Sequence, residues 1–114
     1  MKKRILIIDS DEKALRQCQE ALDHAHEVTC FSDARRAIAH YRNSPAYDLV
    51  VTDLAFEDRS GEGLLFDIRY INPAQKIAVL SNQLESLNLP SDFKISQFKK
   101  PTDIQNVVAS GLEL

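Results

Sequence analysis

The sequence predicts a doubly wound α/β fold with a five-stranded parallel sheet. Short aliphatic runs rich in β-branched residues, such as Ile5–Ile8, alternate with longer stretches whose apolar residues recur at helical spacing. This alternation indicates βαβ units, which build a parallel sheet through right-handed crossovers. The chain has 114 residues, and domains most often have about 100–150 residues. We therefore expect a single domain over residues 1–114.

The predicted strands are short and rich in apolar residues, and polar residues or a turn bring them to an end. Ile5–Ile8 is aliphatic throughout, which is typical of a strand buried on both faces of a sheet. The run Leu49–Val51 has the same character and is followed by Thr52 and Asp53. The five predicted strands are Ile5–Ile8, Glu27–Phe31, Leu49–Val51, Ile77–Leu80 and Phe93–Phe98.

The helices are predicted where apolar residues follow a helical period. The first covers residues 11–24, and Asp33 can cap the second. Between the fourth and fifth strands only a shortened fourth helix of roughly two turns is expected, because Asn88–Pro90 interrupt it. Thr102 or Asp103 caps the last helix. The apolar positions that mark the first, third and last helices are Leu15 and Leu22, Leu64 and Ile68, and Val107 and Leu112.

For a chain of this length the expected strand order is 2-1-3-4-5, the flavodoxin-like arrangement. In such a sheet the functional crevice lies at the carboxyl ends of the strands, where the winding direction reverses. The residues that follow each strand are therefore the first candidates for function.

Composition excludes several classes of protein. The 17 acidic residues outnumber the 14 basic ones, the net charge is −3 and the pI is about 5.5, whereas a nucleic-acid-binding domain usually has a basic patch and a high pI. No apolar run approaches the ~18 residues that span a bilayer. The run Ile5–Ile8 stops at Asp9 and is therefore too short to be the apolar region of a signal peptide. We expect a cytoplasmic protein with no membrane or nucleic-acid partner, in which Cys18 and Cys30 are reduced core thiols.

Polar residues with a common chemistry follow four of the strands. Asp9 follows the first strand, Asp53 the third, Ser81 the fourth and Lys100 the fifth. Strands one and three are neighbours in the expected order, so the two carboxylates face each other and repel unless a cation lies between them. Mg²⁺, which prefers oxygen ligands, would relieve that repulsion. Lys100 would add positive charge at this edge of the sheet, and the hydroxyl of Ser81 would reach an anion bound there.

Together these residues resemble the receiver domain of two-component response regulators. The resemblance rests on Asp9 after an aliphatic strand, Asp53 after the third strand, Gly61 beyond it, Ser81 after the fourth strand, and the pair Lys100-Pro101. It covers nearly the whole chain. It implies a signalling domain that accepts a phosphoryl group from a histidine kinase or phosphotransfer protein, with Mg²⁺ bound, and then switches a downstream protein partner. It also implies no enzymatic activity beyond self-phosphorylation and dephosphorylation.

The resemblance assigns a role to each site residue. Asp53 is the phosphoacceptor, and Ser81 and Lys100 contact the phosphoryl group. A carboxylate reacts with a phosphorylated donor only when charge on the transferring group is neutralised, which Lys and Mg²⁺ do electrostatically. The expected metal ligands are Asp9, Asp53, the backbone carbonyl of Ala55 and, as a further candidate, Ser10.

The metal site departs from the family pattern. The family has two adjacent acids after strand one, but the second position here is Ser10, and Asp11 is expected to start a helix and point elsewhere. Where the family often has a proline, this chain has Glu57, followed by residues 58–60. Because a hydroxyl cannot replace a full negative charge at a hard cation, we expect weak Mg²⁺ binding.

The region that usually transmits the signal to a partner in this family also departs from the family pattern. The aromatic switch position holds Gln97, with Phe98 one residue later. A shift of one residue moves a side chain to the other face of a strand, so Phe98 does not replace the switch residue. These departures leave open an alternative function, a degenerate receiver that acts as a phosphorylation-independent interaction module. A small flavin- or nucleotide-binding protein is disfavoured because no Gly-rich loop follows the first strand.

Overall fold

The computed structural model describes residues 2–58 and 60–113, and Arg59 together with both ends of the predicted domain, residues 1 and 114, lies outside them. Within the described ranges, parallel strands alternate with helices as predicted. The strands are β1 (Arg4–Ile8), β2 (Glu27–Phe31), β3 (Leu49–Thr52), β4 (Ile77–Ser81) and β5 (Ser96–Lys99). The helices are α1 (Glu12–Leu22), α2 (Ala34–Asn43), α3 (Gly61–Ile71) and α4 (Ile104–Leu112), with a 3₁₀ turn at Leu84–Ser86.

The sheet has the order β2-β1-β3-β4-β5, and every neighbouring pair is parallel. This confirms the predicted flavodoxin-like fold. Backbone hydrogen bonds continue past the strands: the amide of Asp53 donates to Ile8 at 2.9 Å, and the amide of Lys100 donates to Ser81 at 3.2 Å. These bonds align the residues that follow neighbouring strands at the carboxyl edge of the sheet.

Two cores lie on opposite faces of the sheet, because successive strand residues point to opposite sides. On one face, Leu6, Ile8 and Val50 pack with the buried residues of α2 and α3. On the other, Ile7 and Val51 pack with the buried residues of α1 and α4. Burial on both faces explains the aliphatic runs Ile5–Ile8 in β1 and Leu49–Val51 in β3.

Side-chain caps set the starts of the helices. Asp11 accepts from the amides of Lys13 and Ala14 and so begins α1, as predicted. Asp103, and not Thr102, caps α4 by accepting from a main-chain amide at 2.9 Å. The prediction for the end of α1 was too long by two residues, since the helix ends at Leu22.

The largest differences from prediction lie between β4 and β5. The fifth strand was predicted from Phe93, but β5 begins at Ser96. Ser96 pairs with Ala78, one residue after the start of β4, so Phe93 and residue 94 would extend past their partner strand. A helix of roughly two turns was predicted between β4 and β5, but the structure has only a single 3₁₀ turn there, at Leu84–Ser86.

The structure also describes the two cysteines and the lengths of the helices. Cys18 and Cys30 are free and half-buried, and both pack against the core on the α1 and α4 face. In the described part of the chain, no helix combines the length and apolar character that crossing a membrane requires.

Gly61 allows α3 to start close against the loop that leaves β3. A Cβ atom at this position would lie 2.5 Å from the Cα of Leu54 and 2.6 Å from its carbonyl oxygen. Main-chain atoms cannot move aside as a flexible side chain can, so the glycine is required by a close approach. Leu54 directly follows Asp53, and this packing therefore helps to position the candidate site.

We expect Gly61→Ala to lower the free energy of unfolding by about 1–3 kcal/mol, the usual cost of overpacking. Urea denaturation followed by circular dichroism measures the change. The control is Gly63→Ala on the same helix, where helix propensity favours alanine by about 1 kcal/mol. Equal stabilities of Gly61→Ala and the wild type would show that the Leu54 loop yields.

Candidate functional site

The carboxyl edge of the sheet brings four predicted residues together. Asp9 and Asp53 are 7% and 8% exposed and Ser81 is fully buried, although all three are polar. Buried polar groups are costly unless they are paired. Lys100, which is partly exposed, supplies the pairing.

The ammonium group of Lys100 bridges the two carboxylates. Its Nζ lies 2.8 Å from Oδ2 of Asp9 and 2.8 Å from Oδ2 of Asp53. These are the lengths of charge-assisted hydrogen bonds. A single cation thus neutralises part of the charge of two buried acids.

Main-chain amides bind the other carboxylate oxygens. Oδ1 of Asp9 accepts from the amide of Asp11 at 2.9 Å, and Oδ1 of Asp53 accepts from the amide of Leu54 at 2.6 Å. Oγ of Ser81 accepts from the amide of Gln83 at 3.0 Å, and its hydroxyl is also a hydrogen-bond partner of Asp53. Both carboxylates are therefore held in defined orientations.

The charges of the site stabilise one another. Burial alone would raise the pKa of Asp53, but hydrogen bonds from Lys100, the Leu54 amide and Ser81 outweigh it and lower this pKa below its ordinary value. Burial alone would lower the pKa of Lys100, and hydrogen bonds to Asp53 and Asp9 raise it instead. At neutral pH the carboxylate of Asp53 is therefore ionised.

The remaining predicted metal ligands lie at the rim. Ser10 is exposed and lines a polar cleft of about 380 Å³ beside Glu57. Ala55 is exposed in the loop beyond Asp53. Asp11 turns its carboxylate to the start of α1, as predicted. In the described ranges, no three His, Cys, Asp or Glu side chains come together as a potential metal site.

The two residues near the predicted switch position occupy opposite faces of β5. Gln97 pairs with Val79 and is exposed. Phe98 pairs with Leu80 and packs against the core on the α1 and α4 face. Phe98 thus does not take the place of the switch residue, as the period of two predicts.

Asp58 is a structural contributor that the sequence did not reveal. Its carboxylate accepts from the amide of Arg35 at 2.9 Å, in the first turn of α2, and its carbonyl accepts from Nε of Arg35 at 3.3 Å. The contact ties the loop after Asp53 to a helix amino end, where negative charge is favourable. Only the tertiary fold brings these distant residues together.

The chain belongs to the response regulator receiver domain family, whose model matches residues 5–108. The chain is thus a signalling domain of two-component systems. No curated protein sequence matches it significantly.

Solved receiver structures share the fold. A response regulator receiver protein from Sinorhizobium medicae WSM419 is 26% identical, with a TM-score of 0.81 over 98% of this chain and 95% of that one. A CheY-like receiver domain protein from Methanospirillum hungatei JF-1 is 23% identical, with a TM-score of 0.82 over 99% and 93% of the two chains. A receiver domain protein from Clostridium thermocellum is 20% identical, with a TM-score of 0.82 over 97% and 91%.

We expect Lys100→Met to raise the pKa of Asp53, because two buried carboxylates without a cation repel each other. Carboxyl ¹³C shifts recorded across an acidic pH series measure this pKa. Lys99→Met is the control, since Lys99 is the exposed neighbour and should leave the pKa unchanged. An unchanged pKa in Lys100→Met would show that the main-chain amides and Ser81 suffice to keep the pKa of Asp53 low.

Proposed function

We propose that the domain accepts a phosphoryl group on Asp53 from a histidine kinase or phosphotransfer protein in the cytoplasm, with Mg²⁺ bound. In this proposal residues 1–114 act as one receiver unit and then switch a downstream protein partner. The observation that carries it is the position of the Lys100 ammonium, 2.8 Å from both Asp9 and Asp53. The net charge of −3 favours protein partners over nucleic acid.

The ionised carboxylate of Asp53 is the nucleophile. One of its oxygens bonds to phosphorus, while the bond from phosphorus to the donor breaks and the donor keeps the electron pair. The product is an acyl phosphate on Asp53. Lys100 then neutralises phosphoryl oxygens instead of the free carboxylate, and the hydroxyl of Ser81 donates to one of them.

The donors of this site fit Mg²⁺, because a cation already lies between two carboxylates. Asp9 and Asp53 would hold the ion, together with the carbonyl of Ala55 and the hydroxyl of Ser10. Mg²⁺ is commonly held by one or two carboxylates and several waters. When bound, it neutralises charge on the transferring group. With two carboxylates and no third acid, binding is weak.

Specific observations favour the second function, a phosphorylation-independent interaction module. Ser10 brings no charge to the metal site, and Gln97 is exposed at the switch position. The segment after β4 has one 3₁₀ turn in place of a helix. These features weaken phosphorylation and its transmission, while the fold that would bind a partner is kept.

Phosphorylation of the purified domain separates the two functions. After incubation with acetyl phosphate and Mg²⁺, intact-mass measurement should show one added phosphoryl group. The group should be absent from Asp53→Asn, which keeps the shape of the side chain but not its charge. The matched control is Asp48→Asn, a strand-flanking carboxylate at the opposite edge of the sheet, which should still be modified.

The outcomes are distinct. An adduct that persists in Asp53→Asn would place the acceptor elsewhere. No adduct in the wild type, even at high Mg²⁺, would favour the phosphorylation-independent module.

We expect Ser10→Asp to tighten Mg²⁺ binding by at least about tenfold, because loss of a supporting ligand already costs about 10–100-fold in metal affinity. A Mg²⁺ titration monitored by amide shifts around Asp53 compares the mutant with the wild type. Ser91→Asp, an exposed position in the loop after the 3₁₀ turn, adds the same charge and should change little. Equal affinities for Ser10→Asp and the wild type would mean that Glu57 already supplies the missing charge.

A further inference from the structure

A groove opens at the amino end of β5, away from the carboxylates. It has a volume of about 550 Å³ and lies between the end of α3, the start of β4 and the segment before β5. Its lining includes Arg69, Pro73, Lys76, Phe93, Lys94 and Ile95.

The groove exists because the segment before β5 packs beneath α3. The ring of Phe93 meets the ring of Phe66 edge-on, with centroids 5.2 Å apart. The guanidinium of Arg69 lies over Phe93 at 4.7 Å and donates to the carbonyl of Lys94 at 2.7 Å. These contacts fix the apolar wall, so the groove is preformed.

An exposed aromatic strip continues the groove along α3. Phe66 is 45% exposed and Tyr70 is 89% exposed, and among the described residues these are the large hydrophobic side chains that remain exposed. They are four residues apart and therefore share one face of the helix. Exposed apolar side chains that cluster beside a groove are typical of an interaction surface.

The charge of the groove is opposite to that of the chain. Three cations, Arg69, Lys76 and Lys94, line it without any acidic residue, although the chain carries a net charge of −3. Arg69 donates to the carbonyl of Lys94 and Lys76 donates to the carbonyl of Leu112, each at 2.7 Å. These carbonyl partners carry no net charge and leave the positive charge of the groove in place.

We infer that this groove binds an acidic peptide segment that carries apolar side chains. The apolar side chains of the segment would pack on Phe93, Ile95 and the exposed rings of α3, and its carboxylates would pair with the basic rim. Such complementarity sets specificity and the rate of encounter. The inference does not depend on phosphorylation of Asp53.

The test uses fluorescein-labelled peptides of about 12 residues, with leucines at i, i+3 and i+7 or at alternate positions, and with glutamates between them. Matched peptides carry lysine in place of glutamate. Fluorescence anisotropy without any phosphodonor gives the affinities, and amide shifts of the ¹⁵N-labelled protein locate the bound peptide. We expect the glutamate peptides to bind, the lysine peptides not to bind, and added salt to weaken binding.

Two charge-reversal variants distinguish binding in the groove from attraction to the overall charge of the protein. Lys94→Glu should weaken binding about tenfold, since it removes one ion pair and adds a repulsion. Lys13→Glu changes the net charge equally on the exposed surface of α1 and should change affinity less than about twofold. Tyr70→Ser should weaken binding without unfolding the protein, because the side chain is exposed.

Four outcomes would overturn the inference. These are affinities weaker than about 1 mM for every glutamate peptide, equal binding of the lysine peptides, equal losses in Lys94→Glu and Lys13→Glu, and shifts on another surface. A dimer seen by sedimentation in the wild type and lost in Tyr70→Ser would also overturn it, by assigning the groove to a second copy of the chain.

Discussion

The pairing of one ammonium group with two buried carboxylates is the constraint around which the site is built. Asp9 and Asp53 come from neighbouring strands, but β5 lies beyond β4. From β5, the strand of Asp53 lies two strand spacings away and that of Asp9 three, about 10 and 14 Å. The lysine and aspartate side chains extend towards each other across the end of β4, which the small, fully buried Ser81 forms.

The two carboxylates that pair with Lys100 are the same ones that are proposed to hold Mg²⁺. Lys100 already satisfies Oδ2 of both acids, and main-chain amides hold the other two oxygens. Each of these oxygens keeps a further lone pair that can accept, and Ser10 adds no negative charge beside them.

The sequence predicted the parts of the structure that depend on local pattern and on strand order. Aliphatic runs predicted the strands, and their order brought Asp9, Asp53 and Lys100 to one edge. The period of two separated Gln97 from Phe98. The start of β5 could not be predicted, because it depends on pairing with β4 and on the contact of Phe93 with α3. These interactions join residues that are distant in the chain.

The loss of a full fourth helix connects the two surfaces of the protein through β5. The segment that replaces the helix brings Phe93 beneath α3, and β5 then runs directly from the groove to Lys100. As an edge strand, β5 pairs with β4 alone, so it is constrained from one side only. Lys94 and Tyr70 lie outside β5 and make none of the contacts of Lys100, so substitutions there separate the groove from the lysine bridge.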